Sequence, residues 1–257
     1  MLKYPPAQAL FLAAGQEIAG DASVGVWLST VLASIGIYWA LLPWLPAGRG
    51  LLGGLWAATH LGVSYWNHSY WGGSVAAFAG GLVLGSVLRM LSGVKARYAV
   101  TLGVGLGLLA LSRPYEGFLV AMVIGSVLLV WIFSSDAPPT GLVIRQLLLP
   151  CAGALLPFAL ALCFYNWRTT GKVTVMPYQV YTRQYQRVPY FVFRDLLKPS
   201  VDHPRWIRAL DDAPDQDYWP KRSAQGFTAA SLDAIWKATR FYLPPNSCLH
   251  PWRCRSW

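Results

Sequence analysis

Ser112-Arg113-Pro114-Tyr115-Glu116-Gly117 is the stretch whose reading decides the fold. Arg113 and Glu116 are the only charges between Arg97 and Asp136, and the runs on either side are apolar enough to lie in lipid. A charge at the centre of a bilayer costs at least about 2.5–3.5 kcal/mol, so this pair belongs at a membrane surface or in a polar cavity. Pro114 has no N–H and its ring clashes one turn back, so it stops the preceding helix, and Gly117 lets the chain turn and start again. The hexapeptide predicts a tight hairpin between two spanning helices.

The rest of the composition agrees. Of 257 residues, 55% are hydrophobic and 12% are charged, and the charges crowd into the last third. That pattern describes a polytopic membrane protein with a polar C-terminal segment rather than a soluble domain. The formal charge of +10 comes from Lys and Arg in short loops and in the tail, not along one face. A nucleic-acid footprint needs clustering, so the expected partners are anionic headgroups or a lipid phosphate, with no nucleic acid. Four cysteines are too few for a disulfide scaffold. Cys151 and Cys163 sit in an apolar run as small hydrophobes, and Cys248, His250 and Cys254 supply three ligands at a poor spacing for zinc. Met1 to Gln8 does not resemble a cleavable signal.

Spanning a bilayer takes about 20 apolar residues, and about six segments approach that length. They are Val24 to Leu45, Gly50 to Trp66 with His60 inside, Tyr70 to Met90, Tyr98 to Ser112, Gly117 to Phe133 and Gly141 to Tyr165. A shorter helix, Ala7 to Ala19, follows the stiff Tyr4-Pro5-Pro6 lead and is expected to be interfacial or re-entrant. Arg89, Lys95 and Arg97 mark one loop as cytoplasmic, and alternation places the loops at Arg49 and at Ser134 to Arg145 on the same side. The opposite face then receives Tyr4 to Gln8, Asn67 to Trp71, Arg113 to Glu116 and everything after Tyr165. Those loops carry Tyr, Trp, Asn, His, Gln, Arg and Glu, side chains that hold a polar ligand; an aromatic belt with interfacial anchors is the plainer alternative.

Glycine marks helix contacts. Gly73, Ala77, Gly81 and Gly85 form a smooth stripe, and Gly103, Gly105 and Gly107 lie mid-membrane with no strand before them, so they point to close packing rather than dinucleotide binding. Beyond Tyr165 tyrosines alternate with charges. Val173 to Tyr178 could begin a short strand, and Pro199 to Pro220 is loop-like. Its cluster Asp211, Asp212, Asp215 and Asp217 leaves a divalent cation open beside the commoner solvated loop. Ser231 to Leu243 predicts a helix capped by Ser231. The expected domains are a transmembrane helical domain at 1–165, a mostly irregular polar segment at 166–243 leading into a truncated helix, and an irregular tail at 244–257.

Three motifs carry a resemblance: Lys3-Tyr4-Pro5-Pro6-Ala7-Gln8, Asn67-His68-Ser69-Tyr70-Trp71-Gly72-Gly73, and the opening hexapeptide. With them, residues 1 to 195 resemble the membrane glycosyltransferases of the GT-C superfamily, in the branch of protein O-mannosyltransferases, aminoarabinose transferases and Rgt-type bacterial enzymes. The resemblance implies inverting sugar transfer from a polyprenyl-phosphate sugar to a lipid, glycan or protein acceptor, on the external face of a bacterial-type inner membrane. It implies Arg113 as a phosphate partner, Tyr4 and Gln8 on the acceptor side, and Asn67, His68, Tyr70 and Trp71 against sugar or lipid phosphate. Tyr115 belongs to the same motif, and Glu116 is either a substrate contact or the ion-pair partner of Arg113. In the family the catalytic carboxylate lies in the first external loop, which this chain enters only at its end. The base is therefore expected upstream of Met1, the tail resembles out-of-frame translation, and an inactive fragment is the expectation. A transporter or channel subunit, or a noncatalytic scaffold, is the alternative; transporters place ionisable groups near the midplane, whereas this polarity concentrates at one surface.

Overall fold

The computed structural model describes residues 4–63, 66, 68–134, 138–189, 191, 193–197 and 218–242. Asn67, the acidic cluster at 211–217, the Cys248–His250–Cys254 group and the tail from residue 244 lie outside the described residues. Helices dominate, and no strand occurs among the described residues. The chain divides into two compact units, one of residues Tyr4–Tyr165 and one containing Asn166 onward.

In the first unit, α1 (Ala7–Ala19) and α2 (Ala22–Leu41) form an antiparallel pair, followed by α3 (Ala47–Val63), α4 (Gly73–Ser92), α5 (Ala96–Ser112) and α6 (Pro114–Ile132). α7 runs over Thr140–Thr170 and includes one π-helical turn, Ile144–Leu148. Four helices, α2, α4, α6 and α7, are long and apolar enough to cross a membrane, and α5 is a shorter apolar helix of 17 residues. α3 has the same 17-residue length and carries His60 in its last turn.

Small residues set the packing. A Cβ on Gly81 would lie 2.7 Å from the backbone of Gly36, and one on Gly85 would lie 3.0 Å from Cα of Ala40. Thr30 and Ser74 share a hydroxyl hydrogen bond of 3.1 Å between the same two helices. The pairs 30/74, 36/81 and 40/85 rise together, so α2 and α4 run parallel. α3 lies antiparallel against α2, with Gly50 near Leu42 and Gly54 near Ser34. The glycines of α5 serve two neighbours: Gly105 faces Ala79 and Val83 of α4, whereas Gly103 and Gly107 face Cys151 and Phe158 of α7. Close approach through such residues is how helices gain van der Waals contact where lipid offers no hydrophobic drive.

The turn at Arg113 is tighter than the sequence suggests. α5 ends at Ser112, and Pro114 occupies the first turn of α6, leaving Arg113 as the single linking residue. Gly117 is therefore helical, and its role is contact, since a Cβ there would lie 2.9 Å from Cβ of Leu109.

The second unit corrects two expectations. Val173 to Tyr178 is not a strand: Asn166 Nδ2 donates to the Val173 carbonyl at 3.0 Å and Thr170 Oγ1 to that of Val175 at 2.9 Å, folding the segment back on the helix end. Pro177 then opens α8 (Pro177–Tyr185). A short helical turn at 218–222 precedes α9 (Ala224–Tyr242). Ser231 does not cap α9. Ser223 Oγ accepts from the Gly226 N–H at 3.0 Å at the true start, and Ser231 lies inside the helix, donating to the Phe227 carbonyl at 2.8 Å. Among its described residues the polar segment is thus more helical than expected.

Candidate functional site

The alternation of helices brings the two chain motifs around residues 72 and 112 together with the start of α1. Ser112 Oγ donates to the Gly72 carbonyl at 3.3 Å. A Cβ on Gly72 would meet Ser112 Oγ at 3.1 Å and Gln8 Cβ at 3.4 Å, so a side chain there would press on Ser112 and disturb this junction. Beneath this contact Ala7, Val75 and Leu111 form a small apolar cluster, packed by Phe11, Phe158 and Leu162. α1 is anchored there by its first two turns, which fixes the position of Gln8.

Aromatic rings frame the same end of the bundle. Tyr4 and Trp71 meet edge to face with centroids 4.8 Å apart, and the Tyr165 hydroxyl donates to the Tyr4 carbonyl at 2.7 Å. Trp66 packs on Gly73, where a Cβ would fall 2.1 Å from the indole. The Arg113 guanidinium stands 5.5 Å from the Trp66 ring centre and pairs with Glu116 at 3.1 Å. Glu116 is exposed and Arg113 half-exposed, so the pair itself contributes about 0–1 kcal/mol. A guanidinium has five N–H donors, and the Glu116 contact engages Nη1, so donors remain for an anion.

Among the described residues, two polar groups at this end have no hydrogen-bond partner. Gln8 is only 7% exposed, and both its Nε2 and Oε1 are without a hydrogen bond; Ser69 Oγ is in the same condition. Leaving a buried polar group unsatisfied costs about 1–3 kcal/mol, which marks Gln8 as a residue retained for something other than packing. The unused donor and acceptor of the amide suit a hydroxyl-bearing ligand or water.

Of the residues expected from the sequence, Tyr4, Gln8, Trp71, Arg113 and Glu116 gather here. His68 and Tyr70 are exposed on the loop before α4, and Tyr115 is half-buried in the first turn of α6. Trp66, Ser69 and Ser112 were not singled out; Ser69 and Ser112 lay within the quoted motifs, but only the fold shows what they touch. Among the described residues no group of three His, Cys, Asp or Glu side chains is placed to hold a metal ion.

The opposite end of the bundle is built otherwise. Arg89 donates to the carbonyls of Gly85 at 2.9 Å and Trp39 at 2.8 Å and covers the Trp39 ring at 4.0 Å. Arg97 donates to the Tyr98 hydroxyl at 2.8 Å, and Arg49, Lys95 and Arg145 are exposed. Gln146, in the π turn, accepts from the Ala96 N–H at 2.9 Å and caps α5 from a neighbouring helix. Comparison with protein-family models, curated proteins and solved structures finds no match for this chain.

Proposed function

We propose that this chain is the acceptor- and phosphate-binding part of a membrane glycosyltransferase that uses a polyprenyl-phosphate sugar. The observation that carries the reading is the gathering of Gln8, Gly72, Ser112 and the Arg113–Glu116 pair at one end of the bundle, with the Gln8 amide buried and without a partner among the described residues. In inverting transfer an acceptor oxygen attacks the anomeric carbon as its bond to the phosphate oxygen breaks, and negative charge grows on the departing phosphate. Arg113, half-exposed beside Trp66, would stabilise that charge, and Gln8 and Ser69 would take hydroxyl hydrogen bonds. No residue of this chain is assigned as the general base.

Six crossings and an external site accompany the proposal. The parallel course of α2 and α4 supports a return through the bilayer between them, for which α3 is the connecting helix. The same reasoning favours α5 as the return between α4 and α6. Helices of 17 residues lie at the short end of the range that spans hydrocarbon. Arg49, Arg89, Lys95, Arg97 and Arg145 collect at the end away from Gln8, which favours that end as cytoplasmic and the site as external.

The test is binding of polyprenyl phosphate and of the matching polyprenol to the purified chain in lipid nanodiscs. The phosphate is expected to bind more tightly, and Arg113→Ala to weaken it about 10–100-fold, the value of a charged hydrogen bond. Arg97→Ala should leave binding unchanged. Equal affinity for phosphate and alcohol would overturn the reading.

A further inference from the structure

We propose that α9 (Ala224–Tyr242) is a membrane-surface helix that lies in the bilayer interface with its apolar face toward the acyl chains. Successive residues of a helix are turned by about 100°, which sets Phe227, Leu232, Ile235 and Trp236 on one side of the sequence register and Asp233 and Lys237 on the other. Four of the apolar members are turned outward: Phe227 is 49% exposed, Leu232 67%, Ile235 63% and Trp236 60%. Opposite them Lys237 pairs with Asp233 at 2.7 Å, both half in solvent.

Three observations make lipid the occupant of this face. First, α9 is not among the helices apolar enough to cross a membrane, and it carries three charged residues, Asp233, Lys237 and Arg240. A strongly two-sided helix of this length with low overall hydrophobicity is the kind that lies in the interface. Second, its charge is complementary to a phospholipid surface: Lys221 precedes it beside Arg222, which pairs with Asp195 at 2.9 Å, the sequence of the helix holds two basic residues, Lys237 and Arg240, and Asp233 is its only acid. Third, the segment that carries α9 continues from the C-terminal end of α7, a helix apolar enough to span, so a bilayer is always within its tether. Trp236 sits at the edge of the apolar sector, and exposed Trp219 lies just upstream, positions where an indole prefers the headgroup layer.

The experiment uses the full chain with its native cysteines replaced by serine, reconstituted in vesicles of zwitterionic phospholipid with an anionic minority. Leu232→Cys or Lys237→Cys carries an environment-sensitive fluorophore. The Leu232 probe is expected to emit to the blue, to be quenched by nitroxide lipids labelled near the headgroup, and to be at least about fivefold less accessible to aqueous iodide than the Lys237 probe, as an interfacial helix requires. Ile235→Asp should return the Leu232 probe to water while circular dichroism stays unchanged. Equal iodide access at the two positions would overturn the proposal. So would a Leu232 probe shielded equally in detergent micelles and in vesicles, with cross-linking to a second copy, which would make the face a protein interface.

Discussion

The two ends of the first unit are made from similar residue types and differ in whether their polar groups are finished. At the Arg89–Arg97 end each described contact closes locally: guanidinium groups reach backbone carbonyls and ring faces, and Gln146 supplies the missing cap of α5. At the Arg113 end an amide and a hydroxyl are buried with no partner among the described residues, and the cation faces a carboxylate with donors to spare. A closed network anchors and rigidifies, whereas an open one costs stability and is retained where a ligand completes it. The lesson is that charge alone does not distinguish an anchor from a site; the satisfaction of neighbouring polar atoms does.

The largest effect should come from the seam that holds both ends in register. Gly81→Leu drives a side chain into the Gly36 backbone and should destabilise the protein by about 1–3 kcal/mol or more, read as a lowered Tm in detergent. Gly80→Leu, one residue away and facing nothing within 4 Å, should not. Gln8→Leu sharpens the comparison directly. Removing an unsatisfied buried amide should stabilise the unliganded protein by about 1 kcal/mol while weakening ligand binding, a reversal of sign that an ordinary core residue would not give. Loss of stability would instead show that the amide is satisfied by bound water. At the finished end, Gln146→Ala should cost about 0.5–1.5 kcal/mol in thermal stability and leave polyprenyl-phosphate binding intact.

The smallest effect concerns Asp21, which caps α2 by accepting from the Ser23 N–H at 2.8 Å. The backbone hydrogen bond from Ser23, aided by that residue's side chain, lowers its pKa below the ordinary 3.8. A depressed folded value means that the cap contributes fully above the unfolded value and is lost as pH falls through the folded one. Stability should therefore decline slightly more below pH 3.8 in the parent than in Asp21→Asn, which keeps an acceptor that does not titrate. Parallel acid titrations of Tm would contradict this.

Much of the architecture was legible because lipid imposes simple demands. Apolar length marked the helices, Pro114 marked the hairpin, and the spacing of glycines marked close contacts. Gly117 was misread because a proline in a helix's first turn restarts the helix at once and needs no glycine turn. Val173–Val175 has the β-branched character of a strand, yet the side chains of Asn166 and Thr170 capture its carbonyls, a local competition that a pattern of residue types does not reveal. Ser231 was mistaken for a cap because helix-forming Ala229 and Ala230 extend α9 back to Ser223. Within the site, the motifs were visible but their junction was not. That Gln8 faces Gly72 and Ser112 follows from the parallel course of α2 and α4, a tertiary fact. Trp66 went unnoticed because an interfacial tryptophan is common, and its value depends on Arg113 standing over it.

The most direct test is photo-cross-linking of a polyprenyl phosphate bearing a diazirine next to the phosphate, with the labelled peptides identified by mass spectrometry. Labelling is predicted within residues 4–8, 66–73 and 112–117, competed by unmodified polyprenyl phosphate and lost in Arg113→Ala. Labelling concentrated at Arg89–Arg97, or spread along the apolar helices without competition, would contradict the account.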